Sequence, residues 1–223
     1  MSHEPRANPS MGEQALSEFL ADLAARRSVP GGGAAAASAL GHAAALGGMV
    51  IAFSRGKKRF EEHDAMLVEI AGTLETMRSQ AMRLADEDAR GFERLAALWP
   101  LDPDDPARRE HWEDAVLGAV SPPRTVVSLA LETLTALSRL VGRSSRLLRS
   151  DLAIAGRFAV VAAEAAAWNV EVNLDALAAL PGREDEAKEL ADRTEAAIKR
   201  ARGLADEIDT TCRQDRQRTI TPE

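Results

Sequence analysis

Three consecutive glycines, Gly31-Gly32-Gly33, follow Pro30 and lead into a run of alanines. Without Cβ atoms, such a triplet lets a flat ligand lie against the backbone. At a helix start its free N–H groups also favour an anion. The same residues equally suit a flexible helix start, and no Gly-Lys-Ser/Thr follows to make a Walker A loop. Asp151 stands at an expected helix start, where an acid complements the helix dipole. Asn169 and Asn173 are four residues apart, so they share a helix face and present amide donors and acceptors together. Their position also suits simple helix termination. Asp88 falls on a long helix where a solvated face is the default, and Lys57-Lys58 is a basic connector. Arg157 and Glu164 interrupt an apolar helix in the manner of a structural ion pair, and His42 in an Ala-rich helix suits a satisfied core histidine. His3, His42, His63 and His111 have no Cys or carboxylate at zinc-ligand spacing, so no metal site is expected. Cys212 has no nucleophile context, and no Ser-centred nucleophile elbow is present.

The elements that must carry these residues follow from composition. The chain has 223 residues, 45% hydrophobic but only 4% aromatic, with no Tyr. It is rich in Ala, the best helix former, and poor in the aromatic residues that strands favour. The expected fold is therefore all-α. Ser10 and Glu13 have capping-box spacing for a first helix over about 13–27. A second helix runs from about Gly33 to Ser54, with small residues (Gly33, Ala37, Gly41, Gly48, Ala52) at steps of about four that admit close neighbours. A third covers about 61–98. Asp105 and Pro106 cap a fourth over about 107–120, which Ser121-Pro122-Pro123 ends. A fifth runs to about Val141, where Gly142 stops it. Ser150 caps a sixth over about 151–173, also Ala-rich and expected to lie buried beside the second. A charged amphipathic helix over about 184–209 completes a bundle of about seven. Residues 1–9 are expected as a disordered tail, 10–213 as one helical domain, and 214–223 as a polar tail.

The formal charge of -7 and the pI near 5.3 argue against general nucleic-acid binding. The uncharged stretch from Val29 to Ser54 is long enough to span a bilayer, but Ala and Gly give little transfer free energy. A buried central helix is the better reading, with no membrane partner. With no signal-like N-terminus, a cytoplasmic location is expected.

Several segments in order carry a family resemblance. They are Pro30-Gly31-Gly32-Gly33-Ala34-Ala35-Ala36, Gly56-Lys57-Lys58-Arg59-Phe60, Asp88-Ala89-Arg90-Gly91-Phe92, Ser150-Asp151-Leu152-Ala153 and Asn169-Val170-Glu171-Val172-Asn173-Leu174. Together they resemble the cyclodeaminase/cyclohydrolase family over roughly residues 14–210. The resemblance implies an all-helical homodimer that binds a reduced folate as substrate, with no cofactor. The implied reaction closes 5-formiminotetrahydrofolate with loss of ammonia, or hydrates 5,10-methenyltetrahydrofolate to the 10-formyl compound. It assigns Asp151 as catalytic acid/base. It assigns Pro30, Gly31, Gly32, Gly33, Lys57, Lys58, Asp88, Ser150, Asn169 and Asn173 to substrate binding. The chain departs from the family pattern at Ala34 and Phe60, where hydroxyls are usual. It departs again in the Gly142–Arg149 connector and at Glu171, where a basic residue is usual. These departures define an alternative, a catalytically degenerate helical dimer of the same fold that binds a ligand or serves a structural role.

Overall fold

The computed structural model describes residues 10–220, and within them six α-helices and two short 3₁₀ turns. The helices are α1 (Leu16–Ala24), α2 (Gly32–Ala52), α3 (Asp64–Leu98), α4 (Pro106–Leu140), α5 (Arg149–Ala178) and α6 (Glu184–Ile220). The expected tail at 1–9 lies outside the described residues, as does 221–223. No strand occurs among the described residues.

The sequence predicts a break at Ser121-Pro122-Pro123, and the chain does not break there. Both prolines sit inside α4, buried, so the expected fourth and fifth helices are one and the count falls from seven to six. A proline at 122 deprives the Gly118 carbonyl of its helical N–H donor. That carbonyl faces Gly91 on α3 so closely that a Cβ on Gly91 would overlap it. Close packing against α3 thus occupies the site of the missing bond, and the helix runs on through the prolines. The caps on either side follow expectation. The Asp105 carboxylate accepts from the Ala107 N–H at 2.8 Å, and Gly142 takes the left-handed conformation, φ 72°, after the last turn.

Two other expected caps are rearranged. The Ser10 hydroxyl donates to Asp86 on α3 at 2.7 Å, which ties the N-terminal segment to the bundle. The α1 helix begins later, with the Glu18 carboxylate accepting from the Ala15 N–H at 3.3 Å. Ser150 lies within the first turn of α5 rather than capping it. The last helix continues to Ile220, beyond the expected start of the polar tail.

The Ala-rich helices α2 and α5 pack against each other at the centre, with α3 and α4 completing the core around α2. They run antiparallel. Gly32 at the start of α2 meets Asn169 near the end of α5, the His42 ring stacks on Phe158 at 5.4 Å, and Ser54 accepts from the Ser145 N–H at 2.8 Å. Small residues admit the large ones around them. A Cβ on Gly47 would stand 2.6 Å from Leu137 and 2.7 Å from Leu74, so Gly47, and not the expected Gly48, admits these neighbours. Leu40, Leu74 and Leu137 are fully buried there, each burial worth about 1.5–3 kcal/mol. By length and composition α2 could cross a membrane; here it is the central helix of the bundle. Arg157 and Glu164 do not pair with each other. Arg157 binds Asp206 and Asp209, and Glu164 binds Arg202, so both fasten α6 to α5.

Candidate active site

At the start of α2 the glycines meet two polar side chains from different helices. Asp88 projects from α3 onto Gly33, and a Cβ on Gly33 would overlap its entire carboxyl group. Asn169 projects from α5 onto Gly32, with both amide atoms 3.7 Å from the place a Cβ would occupy. Glycine is required at 33 because a carboxyl group fills the space of a side chain. Asn173 continues the line one turn further along α5. Its amide donates to the Asn169 carbonyl at 2.8 Å, and the Asn169 amide donates to the Ala165 carbonyl at 2.8 Å. Each amide oxygen therefore remains available to accept. Pro30, half-buried, precedes the glycines.

Asp88 is not on a solvated face. Burial pushes its carboxyl up from the usual carboxylate range to about 6. Among the described residues no hydrogen bond to its carboxylate offsets that desolvation. Asp86, two residues earlier, faces the other way and accepts from the Ser10 hydroxyl and the Met11 N–H. A sequence signal for the buried acid existed. The buried stripe of α3 runs Leu74, Met77, Ala81, Leu84 in alternating steps of three and four. The next step lands on Asp88, and the one after on Gly91.

Beside this cluster lies a cavity of about 330 Å³ between the N-terminal segment, α2 and α3. Its wall includes Ala34, next to Gly33, and Ala85, one turn before Asp88. Phe19 and Met82 make it apolar, and His42 and Arg78 supply polar groups. The His42 Nδ1 lies 2.7 Å from the Ser38 carbonyl, so its hydrogen bonding is satisfied as expected, but the ring is exposed on α2 rather than in the core.

The remaining candidates lie elsewhere. Asp151 and Ser150 are in the first turn of α5, and exposed Lys57 and Lys58 follow the other end of α2. Eighteen residues of α5 separate Asp151 from Asn169, about 27 Å along the helix axis. Within one chain the structure brings together Gly31–Gly33, Asp88, Asn169 and Asn173. It holds Lys57, Lys58, Ser150 and Asp151 at the opposite end of the α2–α5 pair. Among the described residues, no three His, Cys, Asp or Glu side chains gather as a metal site would require.

In this helical bundle a half-buried carboxyl, raised to about 6, stands against the glycine-opened start of α2 beside Asn169. The chain belongs to the formiminotransferase-cyclodeaminase family, whose pattern it matches over residues 15–196. It is similar to the formimidoyltransferase-cyclodeaminase of Gallus gallus, 28% identical over 163 residues, which cover 71% of this chain and 30% of that protein. It spans a similar share, 32%, of the Sus scrofa formimidoyltransferase-cyclodeaminase, so it covers about a third of these relatives. It is also similar to a methenyltetrahydrofolate cyclohydrolase of Methylorubrum extorquens, 29% identical over 184 residues, 80% of this chain and 88% of that one. The fold is shared with a solved structure of formiminotetrahydrofolate cyclodeaminase from Thermotoga maritima. The TM-score is 0.80 at 24% identity, covering 91% of this chain and 98% of that one.

Proposed function

We propose that this protein interconverts one-carbon forms of a reduced folate, with hydrolysis of 5,10-methenyltetrahydrofolate as its reaction and Asp88 as its acid/base. The observation that carries the reading is the Asp88 carboxyl buried against Gly33 beside Asn169. The activities for which the similar proteins are named supply the substrate class. The cyclohydrolase is placed first because its match is longer, 184 residues at 29% identity against 163 at 28% for the Gallus gallus protein.

The chemistry suits these residues. Water adds to the methenyl carbon between N5 and N10, and the Asp88 carboxylate accepts a proton from it. The tetrahedral intermediate then breaks its bond to N5, which receives that proton from Asp88, while the hydroxyl proton leaves to solvent as the formyl C=O forms. One group serves first as base and then as acid, and a pKa of about 6 suits both steps near neutral pH. Asn169 and Asn173 orient the substrate through their free amide oxygens. The apolar cavity beside Gly33 receives the flat ring system, which the absent Cβ atoms of Gly31, Gly32 and Gly33 let approach the backbone. Ring closure of 5-formiminotetrahydrofolate would use the same residues, with N10 as nucleophile and ammonia as leaving group.

The test supplies each substrate in turn. Hydrolysis of methenyltetrahydrofolate is followed by loss of its near-ultraviolet absorbance above the uncatalysed rate, and deamination by release of ammonia. Turnover of the methenyl compound with no ammonia release from the formimino compound is the expected result. Ammonia release alone makes the protein a deaminase, and turnover of neither substrate refutes the reading.

A further inference from the structure

One wall of the 330 Å³ cavity beside Gly33 is built by the N-terminal segment, through Met11, Gly12, Gln14, Leu16 and Phe19. Little fastens this segment to the bundle. Between Ser10 and Gly32 the single buried residue is Phe19. Among the described residues, the hydrogen bonds that join residues 10–24 to the rest both end on Asp86, from the Ser10 hydroxyl at 2.7 Å and the Met11 N–H at 3.0 Å. Other side-chain bonds stay local, as where Gln14 and Arg27 both donate to Asp22. A helix of nine residues such as α1 is too short to hold without tertiary support. An element with so few buried contacts opens far more readily than the whole fold.

Helix α1 is also incompletely seated. Leu16, Phe19, Leu20 and Leu23 share one face, yet Leu16 is 59% and Leu20 52% exposed. Leu16 lines the cavity while standing largely in solvent. Across the cavity lie Ala34 and Ala85, both buried and too small to fill it. Apolar side chains above an apolar space gain by settling on a guest that fills it.

We propose that residues 10–24 are a strap, which releases Asp86 to admit the substrate to this cavity and then closes with Leu16 and Leu20 turned onto the bound ring system. The latch is well placed for this. Asp86 and Asp88 lie two residues apart on α3 and face different ways, so one holds the strap while the other meets Gly33. Asp86 takes no part in the cavity wall. Its carboxylate, the Ser10 hydroxyl and the Met11 N–H are all groups that water solvates on release, which keeps opening inexpensive. Closure over a guest adds contacts that the empty cavity lacks, and so holds the ring in place for reaction. That the guest is a reduced folate rests on the function proposed above; the strap itself does not.

Gly12 and Met82 provide the test. A Cβ on Gly12 would stand 3.1 Å from the Met82 Cβ, near the separation of about 3.5–4.5 Å in a disulfide. The Gly12→Cys/Met82→Cys chain, in a Cys212→Ser background, can therefore be stapled by oxidation and released by reduction, each form the control for the other. Hydrogen exchange reads the strap without any folate. In the wild type, α1 amides should exchange at least about 100-fold faster than those of α3. The staple should slow α1 by about tenfold, and Asp86→Ala should speed it by about tenfold, with α3 unchanged in both. Amides of α1 as slow as those of α3, or unmoved by either change, mean a fixed wall and overturn the proposal. Failure of the two introduced thiols to join does so too.

Turnover of methenyltetrahydrofolate reads the gate. Oxidation of the stapled chain should lower kcat/KM by at least about tenfold, and reduction should restore it. Asp86→Ala should raise KM about fivefold with kcat within about twofold, because the closed state is less populated. A stapled protein as active as its reduced form, or an Asp86→Ala protein with unchanged KM, overturns the gate. A wild type that turns over neither folate refutes the folate reading instead, and the exchange rates still decide the strap.

Discussion

Replacing Asp88 by Asn should make the protein more stable at neutral pH while removing its activity. In the folded chain the Asp88 carboxyl is raised by burial from 3.8 to about 6, so the native state holds this proton more tightly than the unfolded state. Below about pH 4 the group is protonated in both states and costs nothing. Between about pH 4 and about pH 6 the native state binds more protons, so stability falls as pH rises; above about pH 6 the loss is complete. A tenfold change in proton affinity corresponds to about 1.4 kcal/mol, so ionising Asp88 costs the fold about 3 kcal/mol. The amide of the Asp88→Asn variant has nearly the same shape and never ionises. The variant should therefore exceed the wild type by about 2–3 kcal/mol at pH 7, a rise in Tm of about 4–12 °C for a chain of this size. The advantage should shrink toward zero at about pH 4. Urea unfolding of both proteins at one fixed protein concentration, across this pH range, measures the difference directly. A variant that is equal to or weaker than wild type at pH 7, with a difference independent of pH, would refute the claim that Asp88 is a desolvated acid.

Gly33→Ala should push a methyl group into the Asp88 carboxyl, lowering stability by about 1–3 kcal/mol and removing most turnover. In the double variant with Asp88→Ala the stability loss should largely disappear while activity stays absent, and a double-mutant cycle by chemical denaturation reads that coupling. Asn169→Ala should raise KM by about tenfold with a smaller effect on kcat, because it removes a ground-state acceptor; a purely kcat effect would place Asn169 in proton transfer instead. Gly91→Ala should drive its new methyl into the Gly118 carbonyl and cost about 1–3 kcal/mol in thermal unfolding, whereas no loss would mean that α3 and α4 do not meet there.

The legible parts of this fold are those decided locally. Asp105-Pro106 and Gly142 set helix ends through their own backbone chemistry, and the structure places them where the sequence expects. The two Ala-rich helices identify themselves by small residues, and they are the central pair. Pro122-Pro123 misleads because the helix survives through a tertiary contact: the Gly118 carbonyl packs on Gly91, a residue 27 positions away. Asp88 is hidden by Asp86 and Glu87, which make its neighbourhood look solvated, although its place in the α3 stripe marks it as inward-facing. Asp151 emerges only by resemblance, and its distance from the glycines follows from the antiparallel course of α2 and α5, which no local pattern encodes. Ile154, Val161, Trp168 and Val172 read as core in the sequence but stand exposed on α5, because apolar spacing alone does not say which positions a neighbouring helix covers.

The most direct test of the central claim is the pH dependence of kcat/KM for methenyltetrahydrofolate hydrolysis, measured above the uncatalysed rate in wild type and Asp88→Asn. With Asp88 as the initial base, wild-type kcat/KM should rise through an apparent pKa of about 6 and then level. The Asn variant should lose about 10²–10⁴-fold on the plateau above about pH 6, with a smaller deficit at lower pH, where Asp88 of the wild type is itself protonated. An Asp88→Asn protein that keeps its wild-type rate, or a profile with no inflection near 6 in the wild type, would contradict the account.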